Sequence, residues 1–273
     1  MTDTTRPSSA RDIVDFHNHV IPAVDDGASD DAEAAAALEA LSAHGVVQLV
    51  ATPHVDGSLT LRPDALRERL TVIDAGWARL SALVARTGAL RVRRGAEVML
   101  DTPEPDLSDA RLRLDGGRFA LVEYPFMTVP PQSVRVIDFL LHAGVTPIIA
   151  HPERYAGITP AVTLPAAWRD AGAYLQVNAG SLTGRYGEQP RAHAFALLER
   201  GLVDYLCSDY HARGRPAITS ARNLLIELNG AEQAALLMSV NPRRMLNGEA
   251  PIPVPPWRPK QGVWERLRRR WAR

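Results

Sequence analysis

Asp12-Ile13-Val14-Asp15-Phe16-His17-Asn18-His19, residues 12–19, is an apolar run that ends in two histidines. An extended backbone sends residues i and i+2 to the same side, so His17 and His19 leave one strand end toward one point. Neutral imidazole is the commonest protein ligand for a transition metal. Asp25-Asp26-Gly27 follows closely and adds carboxylates to the same neighbourhood. The ends of the other strands are therefore the places to search for further ligands.

Outward from this stretch, strand-like and helix-like segments alternate. The expected strands are 13–16, 46–51 (VVQLVA), 90–93, 119–123 (FALVE), 145–150 (VTPIIA), 173–177 (AYLQV) and 202–207 (LVDYLC). The periodicity predicts helices over 29–44, 63–86, 134–142, 165–171 and 190–200, then over 218–228, over 231–238 and after Pro242. Ser29 followed by Asp30 and Asp31 suits a helix start, with acids at the positive end of the dipole. Apolar strands that alternate with amphipathic helices imply a parallel sheet covered by helices. No glycine-rich dinucleotide or phosphate loop follows any strand, which argues against a Rossmann arrangement. A closed α/β barrel of seven parallel strands fits better, with its chemistry at the carboxyl ends of the strands.

Three regions are expected: a loose lead-in over 1–11, the barrel domain over 12–248, and a tail over 249–273. Residues 249–259 hold five prolines and read as an extended linker or strap. Residues 261–273 (QGVWERLRRRWAR) suit a basic amphipathic helix, the one segment where contact with a membrane surface is expected, although a terminus packed on its own domain is the blander reading.

Composition narrows the function. A formal net charge of zero gives no global attraction to nucleic acid, so no nucleic-acid partner is expected. Lys260 is the only lysine, and arginine carries nearly all the positive charge. The single cysteine, Cys207, allows no intrachain disulfide, and the polar N-terminus lacks the apolar core of a signal peptide, so the expected location is the cytoplasm. Cys207 has no loop of backbone donors around it and reads as buried core, not as a nucleophile. No Gly-x-Ser-x-Gly element is present for a serine hydrolase.

The residues just past each expected strand form a pattern. The first strand gives His17, His19 and then Asp25; the second gives His54 and the third Glu97. The fourth ends in Glu123, the fifth gives His151, and the seventh gives Asp209 and His211. The other histidines are different: His44 and His142 sit near helix C-termini, where the dipole favours them, and His193 lies within a helix and is expected to be exposed. Five histidines and four carboxylates exceed the roughly four to six positions around one ion, so a centre of two or three ions is implied, with a carboxylate such as Glu97 as a bridge. Mixed imidazole and carboxylate donors suit manganese, iron or zinc. Such ions side by side favour hydrolysis of a phosphate ester by a metal-bridging hydroxide, with amide or lactone hydrolysis as the other option. Arg154, three residues past His151, and Arg215, four past His211, are candidates to bind phosphate and stabilise its charge. Arg185, in the glycine-rich loop after the sixth strand, is a weaker substrate-binding candidate, and Asn178 or Ser181 could touch substrate there.

DFHNHVIPAVDDG, ATPH, RGAEV, LVEYP, IIAHPERY, LQVNAGSLTGRYG and CSDYHARGRP, in that order, resemble the polymerase-and-histidinol-phosphatase (PHP) superfamily. More narrowly they resemble the bacterial manganese-dependent protein-tyrosine phosphatases of capsule and exopolysaccharide loci, over residues 12–247. The resemblance implies a distorted seven-stranded PHP-type β/α barrel and three divalent ions, most simply Mn2+. By position, the first ion would take His17, His19, Glu97 and Asp209, the second Glu97, Glu123 and His151, and the third Asp25, His54 and His211. Arg154 and Arg215 match the family's phosphate-binding arginines. The implied substrate is the phosphotyrosine tail of a partner tyrosine kinase that controls polysaccharide export. Relatives often carry asparagine where Ala212 stands, and the loop over 211–215 is one residue shorter than in some of them. Two alternatives accompany this expectation: a small-metabolite phosphatase of the histidinol-phosphate type, and a catalytically silent metal-binding regulatory protein.

Overall fold

The computed structural model describes residues 12–88 and 90–259, together with Gly262. The lead-in at 1–11 and, apart from Gly262, the basic segment at 261–273 lie outside the described residues. In chain order the elements are β1 (Ile13–Asp15), α1 (Asp31–Ala43), β2 (Val46–Ala51), β3 (His54–Asp56), α2 (Pro63–Thr87), β4 (Arg91–Arg94), β5 (Glu97–Met99), β6 (Phe119–Glu123), α3 (Ser133–His142) and β7 (Thr146–Ala150). Then come α4 (Thr163–Asp170), β8 (Tyr174–Asn178), α5 (Ala179–Leu182), α6 (Glu188–Glu199), β9 (Tyr205–Cys207), α7 (Ile218–Glu227), α8 (Ala231–Ala235) and α9 (Asn241–Leu246).

Where seven strands were expected, the described residues hold nine strand segments, in two all-parallel sheets ordered β1-β2-β4 and β3-β5-β6-β7-β8-β9. The two extra segments arise where strands are interrupted. Thr52-Pro53 separates β2 from β3, and Gly95-Ala96 separates β4 from β5. Proline has no N–H for a ladder, so it breaks a strand locally. The pairing nevertheless keeps its register across both breaks: Ala51 faces Arg94, His54 faces Glu97, and Gly95 and Glu97 donate to the carbonyls of Ala51 and Pro53. At the other edge, Asp209 N donates to His17 O (2.9 Å), His19 N donates to Tyr210 O (2.9 Å), and Asn18 bridges Tyr210 in parallel.

Strand side chains are buried on both faces. One set, with Phe16, Val50, Phe119, Leu121, Ile148, Tyr205 and Cys207, forms a core of its own, in which Phe16 and Tyr205 meet edge to face at 5.0 Å. Cys207 is fully buried there, and burial pushes its thiol pKa well up, as its apolar context led one to expect. The opposite strand faces pack against the helices in a larger core. Helix α1 starts on a reciprocal cap: Asp30 accepts from Glu33 N, and Glu33 accepts from Ser29 N, both at 2.9 Å. Helix α2 starts at Pro63 and stops at left-handed Gly88.

The loop over 20–28 that carries Asp25 and Asp26 folds back on His19 and lies against α2, and a glycine permits each approach. A Cβ at Gly27 would fall 1.9 Å from His19 O, and one at Gly76 would fall 2.5 Å from Val24 Cγ1. His44 and His142 hydrogen-bond the carbonyls one turn back in their helices, as their helix-terminal positions suggested. His193 is a correction: it is buried, and its Nδ1 lies 3.2 Å from Glu153 O. It sits on the inner face of α6, beside Ala194 and Leu197, so burial follows from the register of the helix. The strap is packed against the body. Trp257 is fully buried, stacks on Phe195 and donates from Nε1 to Leu228 O. Among the described residues, no helix is long and apolar enough to cross a membrane.

Candidate metal centre

Parallel strands in register deliver the candidate side chains to one end of the sheets. His17 and His19 follow β1, His54 and Glu97 open β3 and β5 as directly paired residues, Glu123 ends β6, His151 follows β7, and Asp209 and His211 follow β9. Eight of the nine sequence candidates fall into four mutually close groups: His17-His19-Glu97, His17-His151-Asp209, His54-Glu97-Glu123, and His19-Asp26-His54-His211.

The distances among donor atoms are informative. His17 Nε2 lies 3.1 Å from Glu97 Oε2 and 3.3 Å from Asp209 Oδ1, and His19 Nε2 lies 3.4 and 3.5 Å from the same two oxygens. His151 Nε2 is 3.2 Å from Glu97 Oε1 and 3.5 Å from Glu123 Oε2. Asp26 Oδ1 is 3.5 Å from His54 Nε2 and 3.4 Å from His211 Nε2. Donors about 2.0–2.2 Å from a shared ion stand roughly 3–3.5 Å from one another. His17 Nε2, His19 Nε2 and Glu97 Oε2 are also buried atoms with no hydrogen-bond partner. Such orphans are rare in native proteins and call for an explanation. A cation answers it, so the donor set fits divalent metal.

The second ring of contacts supports the same orientation. His17 Nδ1 donates to Gln176 Oε1 (2.7 Å) and His19 Nδ1 to Asp25 Oδ2 (2.8 Å), which leaves both Nε2 lone pairs aimed inward. The structure thus brings Asp26 into the group with His54 and His211 where the sequence reading named Asp25. The Asp25 carboxylate is taken up by His19 Nδ1, the amide of His54 and the amide of Gly27. Burial works against its ionisation, yet the hydrogen bond and charge of His19 prevail and hold it at about 2. Burial likewise opposes a charged His17, but Glu97 and Asp209 outweigh it and raise its pKa to about 9. Glu97 and Asp209 are held well below the usual carboxylate range by the surrounding imidazoles, despite burial.

Arg154 Nη1 donates to Asp209 Oδ2 (2.9 Å), and its guanidinium lies 4.3 Å above the ring of Tyr186. Arg215 is exposed, and its backbone carbonyl accepts from the exposed Arg185. Asn178 and Ser181 are buried support: Asn178 donates to Asp209 Oδ2 (2.6 Å) and Ser181 to Glu153 Oε1 (2.6 Å). Arg69 escaped the sequence reading. It donates to the carbonyls of both Val24 and His54, tying two ligand-bearing segments together, and a helical arginine carries no local signal for this. His151 and Asp209 both have left-handed backbones, the kind of strain that gathers at functional sites.

Residues 13–247 match the family model described as capsular polysaccharide synthesis, CpsB/CapC. The chain belongs to the CpsB/CapC family. Its relatives in that family include tyrosine-protein phosphatase YwqE of Bacillus subtilis, 29% identical over 89% of this chain and 95% of the relative. Tyrosine-protein phosphatase CpsB of Streptococcus pneumoniae is 28% identical over 86% and 98%. A solved structure from work on YwqE and CpsB, described as unique metal-dependent tyrosine phosphatases, superposes with a TM-score of 0.74 at 29% identity, covering 91% of this chain and 99% of the other. The CpsB/CapC match spans every candidate residue from His17 to Arg215.

Proposed function

We propose that this chain is a metal-dependent tyrosine-protein phosphatase of capsule or exopolysaccharide synthesis, acting in the cytoplasm on the phosphotyrosine tail of a bacterial tyrosine kinase. The unbroken register across the two strand interruptions and the link between Asn18 and Tyr210 support a ring of seven strand runs, the PHP-type barrel. One observation carries the chemistry: three sets of imidazole and carboxylate donors converge at metal-ligand spacing, and buried donors lack any other partner. In this reading His17, His19, Glu97 and Asp209 hold one ion, Glu97, Glu123 and His151 a second, and Asp26, His54 and His211 a third. Manganese is the first choice, with iron and zinc compatible. Bound divalent ions supply charge that acidifies water and neutralises phosphoryl oxygens.

The chain's own residues do the rest. Gln176 and Asp25 fix the tautomers of His17 and His19. Asn178 and Arg154 hold Asp209 from outside the cluster, and Tyr186 backs one face of the guanidinium. That leaves the other Arg154 donors to meet phosphoryl oxygens and the charge that develops on them. Arg215 and Arg185 meet at the rim, on the approach of an anionic substrate. The departing phenolate, with a pKa of about 10, takes up a proton from water as it is released. The test combines elemental analysis with phosphatase rates on one preparation, across added manganese, zinc and magnesium. Turnover of a phosphotyrosyl peptide should follow metal content, and His17→Ala should lose both. A wild-type protein without metal-stimulated turnover refutes the proposal.

A further inference from the structure

Phe126 lies three residues past Glu123, in the turn that leaves β6. The residue is 92% exposed, while the other exposed large hydrophobics among the described residues are aliphatic and at most 56% exposed. Burial of a phenylalanine stabilises a fold by about 1.5–3 kcal/mol, and this one contributes none of that. Its backbone is left-handed, with φ at +52°, and so is that of Met127. Two adjacent non-glycine residues in this region cost stability, and such strain persists only where the surroundings impose it.

The surroundings do impose it. Thr128 N donates to Pro125 O (3.0 Å), Tyr124 N to Tyr155 Oη (3.0 Å) and Ala156 N to Met127 O (2.8 Å). Met127 packs against the core, while Phe126 points away from it. The turn is thereby fastened to segment 151–157, which carries His151 and Arg154. Three residues span at most about 11 Å, so the Phe126 backbone lies within that distance of Glu123, a member of the donor cluster. A phenyl ester bound there has its ring one oxygen away from phosphorus, and that ring must pass outward across the rim.

We propose that Phe126 is a substrate-contacting specificity residue, whose ring packs against the aromatic ring of the phosphotyrosyl side chain. The inference rests on the phosphotyrosine reading of the site and says how that site prefers aryl to alkyl esters. Aromatic pairs add to simple area burial, and the combined effect corresponds to about tenfold in affinity.

The test uses the full-length, manganese-loaded protein and two peptides of one sequence, one phosphotyrosyl and one phosphoseryl. Phe126→Ala should raise KM for the phosphotyrosyl peptide about tenfold, with kcat within twofold. Turnover of the phosphoseryl peptide and inhibition by inorganic phosphate should not change, and Phe126→Tyr should restore the lower KM. The melting temperature of Phe126→Ala should not fall, since the ring buries nothing in the fold. An active wild type with an unchanged phosphotyrosyl KM in Phe126→Ala overturns this inference alone, as does an equal loss on both peptides. A wild type inert toward the phosphotyrosyl peptide overturns the phosphatase reading and this inference with it.

Discussion

Asp25 and Asp26 are adjacent acids that the fold assigns to different work. Asp25 binds His19 Nδ1 at 2.8 Å, and Asp26 faces His54 and His211. Asp26→Asn should remove one equivalent of tightly bound metal, counted by elemental analysis. Asp25→Asn should keep the full count and weaken binding about 10–100-fold, as loss of an outer partner does. The reverse result would return Asp25 to the ligand set. Nothing in Asp25-Asp26-Gly27 could separate the two, because the choice depends on how a non-repetitive loop folds back on His19. His17, His19, Asp209 and His211 were legible, since spacing by two at a strand end fixes a common direction. Gln176 and Asn178 obey the same rule in an otherwise apolar strand, and the structure shows what the spacing alone did not: Gln176 meets His17, and Asn178 meets Asp209. His193 misled because a histidine in a helix has no period of its own, and the apolar residues around it, such as Ala194, Phe195 and Leu197, set which side of α6 is buried.

At the scale of elements, the alternation of strands and helices was legible because buried parallel strands and amphipathic helices have different apolar periods. The interruptions at Pro53 and Gly95 were not, since a register that survives a break shows only in the paired partner. Helix α2 shows how an element sets the site from a distance. Gly76 lies in its middle, where glycine costs about 1 kcal/mol relative to alanine. The fold retains it because a Cβ there would press on Val24 and Ile21, at 2.5 and 2.8 Å, in the loop that bears Asp25 and Asp26. Propensity alone predicts that Gly76→Ala stabilises the protein. The contacts predict the opposite, a net loss of about 1–3 kcal/mol from overpacking. Urea denaturation gives the sign, and a metal titration on the same variant should show weaker binding as Asp26 is displaced.

For the molecule as a whole, chemistry and stability occupy opposite ends. The donor cluster lies past the strand ends, while α9 and the strap close off the strand starts: Asn241 donates to Asp204 O, Arg243 to Asp12 O and Arg118 to Gly248 O. Asp204 is a carboxyl buried at that far end, beside the buried Tyr205. Desolvation raises its pKa to about 7, although Arg169 lies 2.5 Å away and pulls it down. A carboxyl whose pKa is higher folded than unfolded favours the fold while it is protonated. Its contribution is therefore complete below about 4, the ordinary value, and is lost as pH rises through about 7. Other carboxylates, such as Glu97 and Asp209, have lowered values and act in the opposite sense, so the wild-type profile alone mixes the two. The difference between Asp204→Asn and wild type isolates the effect, because asparagine keeps an oxygen for Leu175 N and cannot ionise. Relative to wild type, the variant should gain stability steadily between pH 4 and 7 in chemical denaturation. Its metal content should not change, because Asp204 stands at the end of the strands away from the donors. A difference that stays flat over that range would mean that Arg169 keeps Asp204 ionised throughout.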